Sequence, residues 1–245
     1  MMDFRQEDWQ GRTRLLIGDD NIAVLKNAHV AVFGLGGVGA ITAEMLCRAG
    51  IGNISIIDHD TISATNRNRQ IHAFVSSENL AKTEIMAQRL RDINPKVNLT
   101  IHEKYVKDHI APEILDQKFD YIVDAIDSLS PKVFLLYHAM QRKHKIVSAL
   151  GSGGRLNPLE IKITDISESY NCPFAVDVRK KLHKLGIFNG IKVIFSSEKV
   201  NSNAKVLLEN VPNKKSAFGT ISYLPNVFGC YAAAVVINDL INNPI

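Results

Sequence analysis

Residues 34–39 read Gly-Leu-Gly-Gly-Val-Gly, and their flanks constrain the fold more than any other segment of the chain. Before them stands Val30-Ala-Val-Phe33, a short, apolar, β-branched run suited to a strand buried on both faces. After them comes Ala40-Ile-Thr-Ala-Glu-Met-Leu-Cys-Arg48, with helical apolar spacing and Gly50 as its stop. Asn53–Asp58 then reads as a second strand. A strand, a tight glycine turn, a helix and a second strand make a βαβ unit, which requires a right-handed crossover and a parallel sheet.

The alternation continues. Helices are predicted over Ala81–Ile93, stopped by Asn94-Pro95, and over Lys132–Lys143. Strands are predicted at Asn98–Glu103, Tyr121–Ala125 and Lys145–Ala149. The expected class is therefore α/β, a doubly wound, mostly parallel sheet. Beyond Gly151 the texture changes to a strand at Glu160–Thr164, an amphipathic helix over Pro173–Leu185 ending at Gly186, a strand at Lys192–Phe195 and a closing apolar helix over Val227–Ile241. Glu198–Asn226 lacks a period and is expected to be a long loop, and near the N-terminus only a helix capped by Asp20 or Asn21 and running through Leu25 is predicted. We expect one domain over residues 1–245, with a nucleotide-binding core at 12–152 and a substrate-side α/β extension at 153–245.

Composition excludes several classes. With 46% hydrophobic and 22% charged residues over 245 positions, the chain can bury a full core. No apolar run is long enough for a bilayer and the first residues are too polar for a signal peptide, so a cytoplasmic protein without a membrane partner is expected. Cys47, Cys172 and Cys230 are scattered and form no C-x-x-C pair, which argues against a zinc site and a disulfide framework. The net charge of +4 permits a polyanionic partner without requiring one.

Glycines at 34, 36, 37 and 39 let the backbone approach a phosphate at a helix N-terminus, where free N–H groups and the helix dipole favour an anion. Asp58, about twenty residues further on, is placed to accept hydrogen bonds from ribose hydroxyls. The loop alone serves NAD or ATP equally. What separates them is Asp58-His-Asp60 followed by Thr65-Asn-Arg-Asn-Arg-Gln70 and Lys82: this concentration of cations and amides suits a triphosphate better than a nicotinamide. Asp124 and Asp127, near a strand end, offer hard oxygens for Mg²⁺.

In this order, Arg14, Gly34-x-Gly-Gly-x-Gly39, Asp58-x-Asp60, Asn66-x-Asn-Arg-Gln70, Lys82 and Asp124-Ala-Ile-Asp127 resemble the adenylation signature of the ubiquitin-activating, ThiF and MoeB superfamily, whose fold is Rossmann-like. The resemblance implies ATP and Mg²⁺ as cofactors, ribose at Asp58, phosphates at Asn66, Arg69 and Lys82, and the metal at Asp127. It further implies a homodimer in which Arg14 reaches the partner's ATP, so that Arg14, Arg69, Lys82 and Asp127 form the catalytic set, with Asp60 and Gln70 also in the nucleotide site.

The downstream half narrows the resemblance. Thr65–Ala73, Asp124–Ser128 with Pro131-Lys132, Gly151-Ser-Gly-Gly154, Asn157-Pro158, Asp165-Ile166, Phe195-Ser-Ser-Glu198 and Asn226–Ala232 look like bacterial tRNA threonylcarbamoyladenosine dehydratases. That family implies a tRNA partner and ATP-dependent cyclisation of the modification beside the anticodon. Asn171-Cys-Pro-Phe174 and Lys199–Asn213 depart from its pattern. For RNA contact, Arg179-Lys-Lys-Leu-His-Lys184 with Lys192, Lys199, Lys214 and Lys215 offers a basic face, and an ordinary solvated helix explains it equally well. The alternatives are an activating enzyme for a ubiquitin-like or sulfur-carrier partner, with Cys172 as the candidate nucleophile, an NAD-dependent oxidoreductase, and a non-enzymatic scaffold. His59 and His72 are read as structural.

Overall fold

Four of the five residues of β1 (His29–Phe33) are buried, as a strand covered on both faces requires. The computed structural model describes residues 8–106, 110–207 and 216–245. β1 leads through the glycine turn into α2 (Gly39–Ala49), which ends at Gly50 in the left-handed conformation (φ +97°), and then into β2 (Asn53–Ile57). α3 (Lys82–Ile93), β3 (Asn98–His102), α4 (Ile110–Leu115), β4 (Tyr121–Asp124), α5 (Leu129–Gln141) and β5 (Ile146–Ala149) continue the alternation. β6 (Ile161–Asp165), α6 (Pro173–Lys184) and β7 (Lys192–Ser196) follow.

One seven-stranded sheet takes in strands from both halves of the chain, in the order β3-β2-β1-β4-β5-β7-β6. All neighbours pair in parallel except β6, which runs antiparallel to β7 with Ile161 opposite Ser196. The order reverses at β1, which has β2 on one side and β4 on the other, so the crevice of this doubly wound sheet opens outside the carboxyl ends of β1 and β4. Two apolar layers flank the sheet. One centres on α2, α3 and α7 (Tyr223–Leu240), and the other on α4, α5 and α6. α7 crosses α2 closely because residue 229 is glycine: a Cβ there would stand 2.6 Å from the Val38 carbonyl oxygen.

Besides α4, to which the sequence reading assigned no element, two segments differ from that reading. The N-terminal helix is longer than predicted, spanning Gly11–Asn27 as α1, but Gly18 at φ +79° breaks it into two pieces. The predicted long loop at 198–226 holds a two-stranded antiparallel ribbon, β8 (Lys205–Leu207) and β9 (Ser216–Phe218), and the first turn of α7. Its three-residue strands are too short to show a period. No helix among the described residues is long and apolar enough to cross a membrane.

Candidate nucleotide site

The four glycines of the turn do different jobs. Gly34 is left-handed (φ +88°), and a Cβ on it would lie 2.9 Å from the Ala125 carbonyl oxygen, so glycine lets the β1 and β4 exits close against each other. A Cβ on Gly39 would sit 1.8 Å from the Gly34 carbonyl oxygen, which makes glycine obligatory for the turn itself. At Gly37 it would meet Pro225 Cβ at 3.0 Å and the Arg69 carbonyl oxygen at 3.2 Å. At Gly36 it would meet nothing within 4 Å. Backbone exposed to open space at the mouth of α2 is a cradle that an anion can occupy.

Of the residues singled out by the sequence, Asp58 and Arg69 touch that turn. Asp58 is buried at the end of β2; its Oδ2 accepts the Leu35 N–H at 2.5 Å and its Oδ1 the Asp60 N–H at 2.8 Å. Each oxygen keeps a further lone pair, so the carboxylate fixes the glycine turn and can still accept a hydrogen bond. Lys82, the first residue of α3 and nearly buried, donates from Nζ to Asp60 Oδ2 at 2.7 Å, while the Asp60 side chain is half exposed. His59 Nε2 lies 3.2 Å from Asp60 Oδ1, and its ring packs edge-on against Tyr105 with centroids 4.5 Å apart.

Asn66 closes a 3-10 turn whose capping it shares with Ser63: its Oδ1 accepts the Ser63 N–H at 3.1 Å, leaving the amide NH₂ available as a donor. Arg69 donates from Nη1 to the Thr65 carbonyl at 2.9 Å and to Asn68 Oδ1 at 2.8 Å, which holds its stem against Gly37. Gln70 is buried, and its Oε1 has no hydrogen-bond partner among the described residues. Asn68 reaches across to the Thr220 carbonyl at 2.9 Å, so the segment after β9 borders the same crevice. Arg69, Pro225 and Gly37 thus meet although they are far apart in sequence.

Asp127 is exposed on the turn from β4 to α5, an accessible carboxylate of the kind a hard cation takes. Asp124 is not comparable, which corrects the reading of it as a second metal carboxylate. It is fully buried, and its oxygens accept Lys132 Nζ (2.6 Å), Ser148 Oγ (2.6 Å) and the Ile126 N–H (3.1 Å). Asp58, His59 and Asp60 form a second grouping whose donor atoms lie within 4.8 Å of one another. Arg14, half-buried on α1, bonds through Nε to Asp8 at 2.9 Å and through Nη1 to Asp19 of its own chain; the Asp19 and Asp8 carboxylates hold its guanidinium above its ordinary pKa.

Sequence reasoning missed Arg155. It is buried, and it donates from Nη2 to the Asn171 carbonyl (3.0 Å), from Nε to that of Glu198 (3.0 Å) and from Nη1 to that of Gly151 (2.5 Å), tying three loops at the carboxyl edge. An arginine beside two glycines was the available signal. The basic face needs correction: Arg179 bonds to the Ser169 carbonyl (2.7 Å) and Lys192 to Asp239 (3.1 Å), while Lys214 and Lys215 lie outside the described residues. Cys172 is buried, Cys47 is pushed up to about 11 by burial, and Cys230 is exposed although it lies in the apolar α7.

The ThiF family model matches residues 11–244. The chain is 34% identical over 244 residues to the tRNA threonylcarbamoyladenosine dehydratase of Bacillus subtilis, covering 95% of this chain and 94% of that one. The chain belongs to the ThiF family, in its tRNA threonylcarbamoyladenosine dehydratase branch. Within that branch, the crystal structure of the Escherichia coli enzyme in complex with ATP superposes with a TM-score of 0.88 at 32% identity, covering 97% of this chain and 96% of that one. The AMP complex of the same dehydratase gives a TM-score of 0.87 at 30% identity, covering 98% of each.

Proposed function

We propose that this chain is an ATP-dependent tRNA threonylcarbamoyladenosine dehydratase that activates the threonyl carboxylate of the modification by adenylation. The observation that carries the reading is the open cradle at Gly36 at the reversal point of the sheet, in a turn that Asp58 and Arg69 touch. Likeness over almost the whole length to dehydratases, among them the Escherichia coli enzyme solved both with ATP and with AMP, supports it.

In the first step a carboxylate oxygen attacks the α-phosphorus and the bond to pyrophosphate breaks. In the second, a neighbouring nucleophilic atom of the same modification attacks the acyl carbon, loses its proton, closes a five-membered ring and expels AMP. An internal nucleophile has a large effective-molarity advantage, so no enzyme thiol is required. Asp58 orients the ribose, Gly36 and Asn66 offer N–H donors to phosphate, and Arg69 and Lys82 offset charge that develops at phosphorus. The carboxylate of Asp127 suits Mg²⁺, which would shield the triphosphate when bound. Asp60 keeps Lys82 in place until a phosphate competes for it, and Gln70 has an oxygen to offer a ligand donor. Arg14 serves the partner's site in a homodimer, and the working compartment is the cytoplasm.

ATP–pyrophosphate exchange tests this, run with and without threonylcarbamoylated tRNA. Arg69→Ala and Asp127→Ala are expected to remain folded and to lose product formation by about 100-fold or more. Full activity in either overturns the site. Cys172→Ser is expected to keep activity; a lost activity together with a trapped thioester would favour a carrier-protein substrate instead.

A further inference from the structure

The nucleotide crevice uses the carboxyl ends of the strands, and the opposite edge of the sheet carries a surface that this chemistry leaves unexplained. α6 buries Ala175, Val178 and Leu182 and exposes Lys180, Lys181, His183 and Lys184 in its last turns. After it, Gly186 is left-handed (φ +78°) and Phe188 is 59% exposed. The Phe188 ring packs on that of His183, with centroids 5.0 Å apart and planes tilted by 35°.

A second turn, distant in sequence, ends at the same place. Lys143 and Lys145 are exposed between α5 and β5. β5 pairs with β7, Val147 opposite Lys192, and α5 packs on α6. A Cβ on Gly190 would lie 3.2 Å from Met140 Cε, so the turn after α6 touches the last turn of α5, just ahead of Lys143. Nearby charges are mostly engaged: Arg142 with Asp116 at 2.7 Å, Lys192 with Asp239 at 3.1 Å, and Asp165 with the Gly190 N–H at 2.7 Å. Asp177, further up α6, is the exposed acid on that helix. None of Lys143, Lys145, Lys180, Lys181 and Lys184 forms an ion pair among the described residues.

Lysines in a last helical turn complement the helix dipole, which accounts for Lys181 and Lys184. It does not account for Lys143 and Lys145, which belong to another element, or for an exposed aromatic pair at their centre. We propose that this face binds the backbone of the RNA substrate, with phosphates against the five lysines and an unpaired base against the His183–Phe188 pair. The proposal rests on the tRNA reading above. Lysine is a flexible point charge that takes phosphate without reading sequence, as suits a surface that holds the RNA while the crevice selects the modified nucleoside. α6 begins beside the Gly151 loop and its 12 residues span roughly 18 Å, so RNA engaged at both places lies along this helix.

The test is equilibrium binding of an unmodified tRNA transcript from about 50 to about 200 mM salt, with ATP uptake measured separately by calorimetry. K180E/K181E/K184E and K143E/K145E are each expected to weaken tRNA binding about tenfold or more at the lower salt, to flatten its salt dependence and to leave ATP uptake unchanged. K180R/K181R/K184R is expected to retain affinity, and F188A to lose about fivefold. Unchanged affinity and salt slope in both charge-reversed proteins would overturn the surface while leaving the function intact. Polyglutamate competing as well as tRNA at equal charge would also overturn it, in favour of an acidic protein partner. A wild-type protein that binds ATP but neither binds tRNA nor converts threonylcarbamoylated tRNA would sink the functional reading itself.

Discussion

Lys132 Nζ stands 2.6 Å from Asp124 Oδ2 where neither side chain is reached by solvent. The same ammonium donates to Ser148 Oγ at 3.1 Å and to the Ala149 carbonyl at 3.0 Å, so its three protons are all used. Asp124 in turn accepts the Ile126 N–H, which fixes the turn that carries Asp127. One buried pair therefore joins α5 to the ends of β4 and β5 and sets the wall of the crevice.

Deleting one member of such a pair leaves the other charged and buried, at a cost of about 3–5 kcal/mol. Lys132→Met is expected to lose stability of that order in denaturant unfolding. Adding Asp124→Leu is expected to restore part of it, because the stranded charge is gone, while ATP uptake stays weak because the Asp127 turn has lost its anchor. A Lys132→Met protein as stable as the wild type would refute the argument.

The glycines make a sharper contrast. Gly39→Ala would push a methyl group to 1.8 Å from the Gly34 carbonyl oxygen, so the turn must rearrange and thermal stability must fall. Gly36→Ala meets nothing, so the fold is expected to melt at the wild-type temperature while the added methyl enters the space assigned to a phosphate. About tenfold or weaker ATP uptake by a stable Gly36→Ala protein is the expected calorimetric result. Undiminished uptake would remove Gly36 from the binding site.

These particulars also mark what the sequence makes legible. The turn after β1, Asp58 and Lys82 can be read because each is placed by spacing within a βαβ unit. Asp124 is misread because its partner, Lys132, lies eight residues away on the next helix, and only packing shows that the two pair. Arg155 escapes because its acceptors are backbone carbonyls of three separate loops, which carry no residue-type signal. The kink at Gly18 and the β8–β9 ribbon escape for lack of a period long enough to detect.

His72 supplies a pH test. It is completely buried, neither ring nitrogen has a partner among the described residues, and burial, aided by Lys82 and Arg89, pushes its pKa down to about 4. The unfolded chain therefore binds a proton near pH 6.5 that the folded chain refuses until about pH 4. Stability attributable to His72 is complete above pH 6.5 and declines as the pH falls through that window, by on the order of 3 kcal/mol in total. His29, His102 and His138 are shifted in the same direction, so the wild-type slope is shared. Comparing wild type with His72→Leu isolates the contribution: the variant is expected to lose distinctly less stability between pH 7 and pH 4.5. Parallel curves would show that His72 is not responsible.

Arg14 tests whether two chains build each site. Its guanidinium is held by Asp8, ahead of α1, and by Asp19 on α1 of its own chain, whereas Asp127 lies on the turn between β4 and α5. If Arg14 serves the partner's ATP, Arg14→Ala and Asp127→Ala are each inactive alone, yet a mixed dimer contains one site with the wild-type residue at both positions. Unfolding and refolding the two variants together in equal amounts makes half of the dimers mixed, so about a quarter of wild-type activity is expected to return. Self-contained sites would give no recovery, since every site would then lack one of the two residues. Size-exclusion chromatography of the refolded mixture separates that outcome from a failure to assemble: dimers without activity would place Arg14 in its own chain's site.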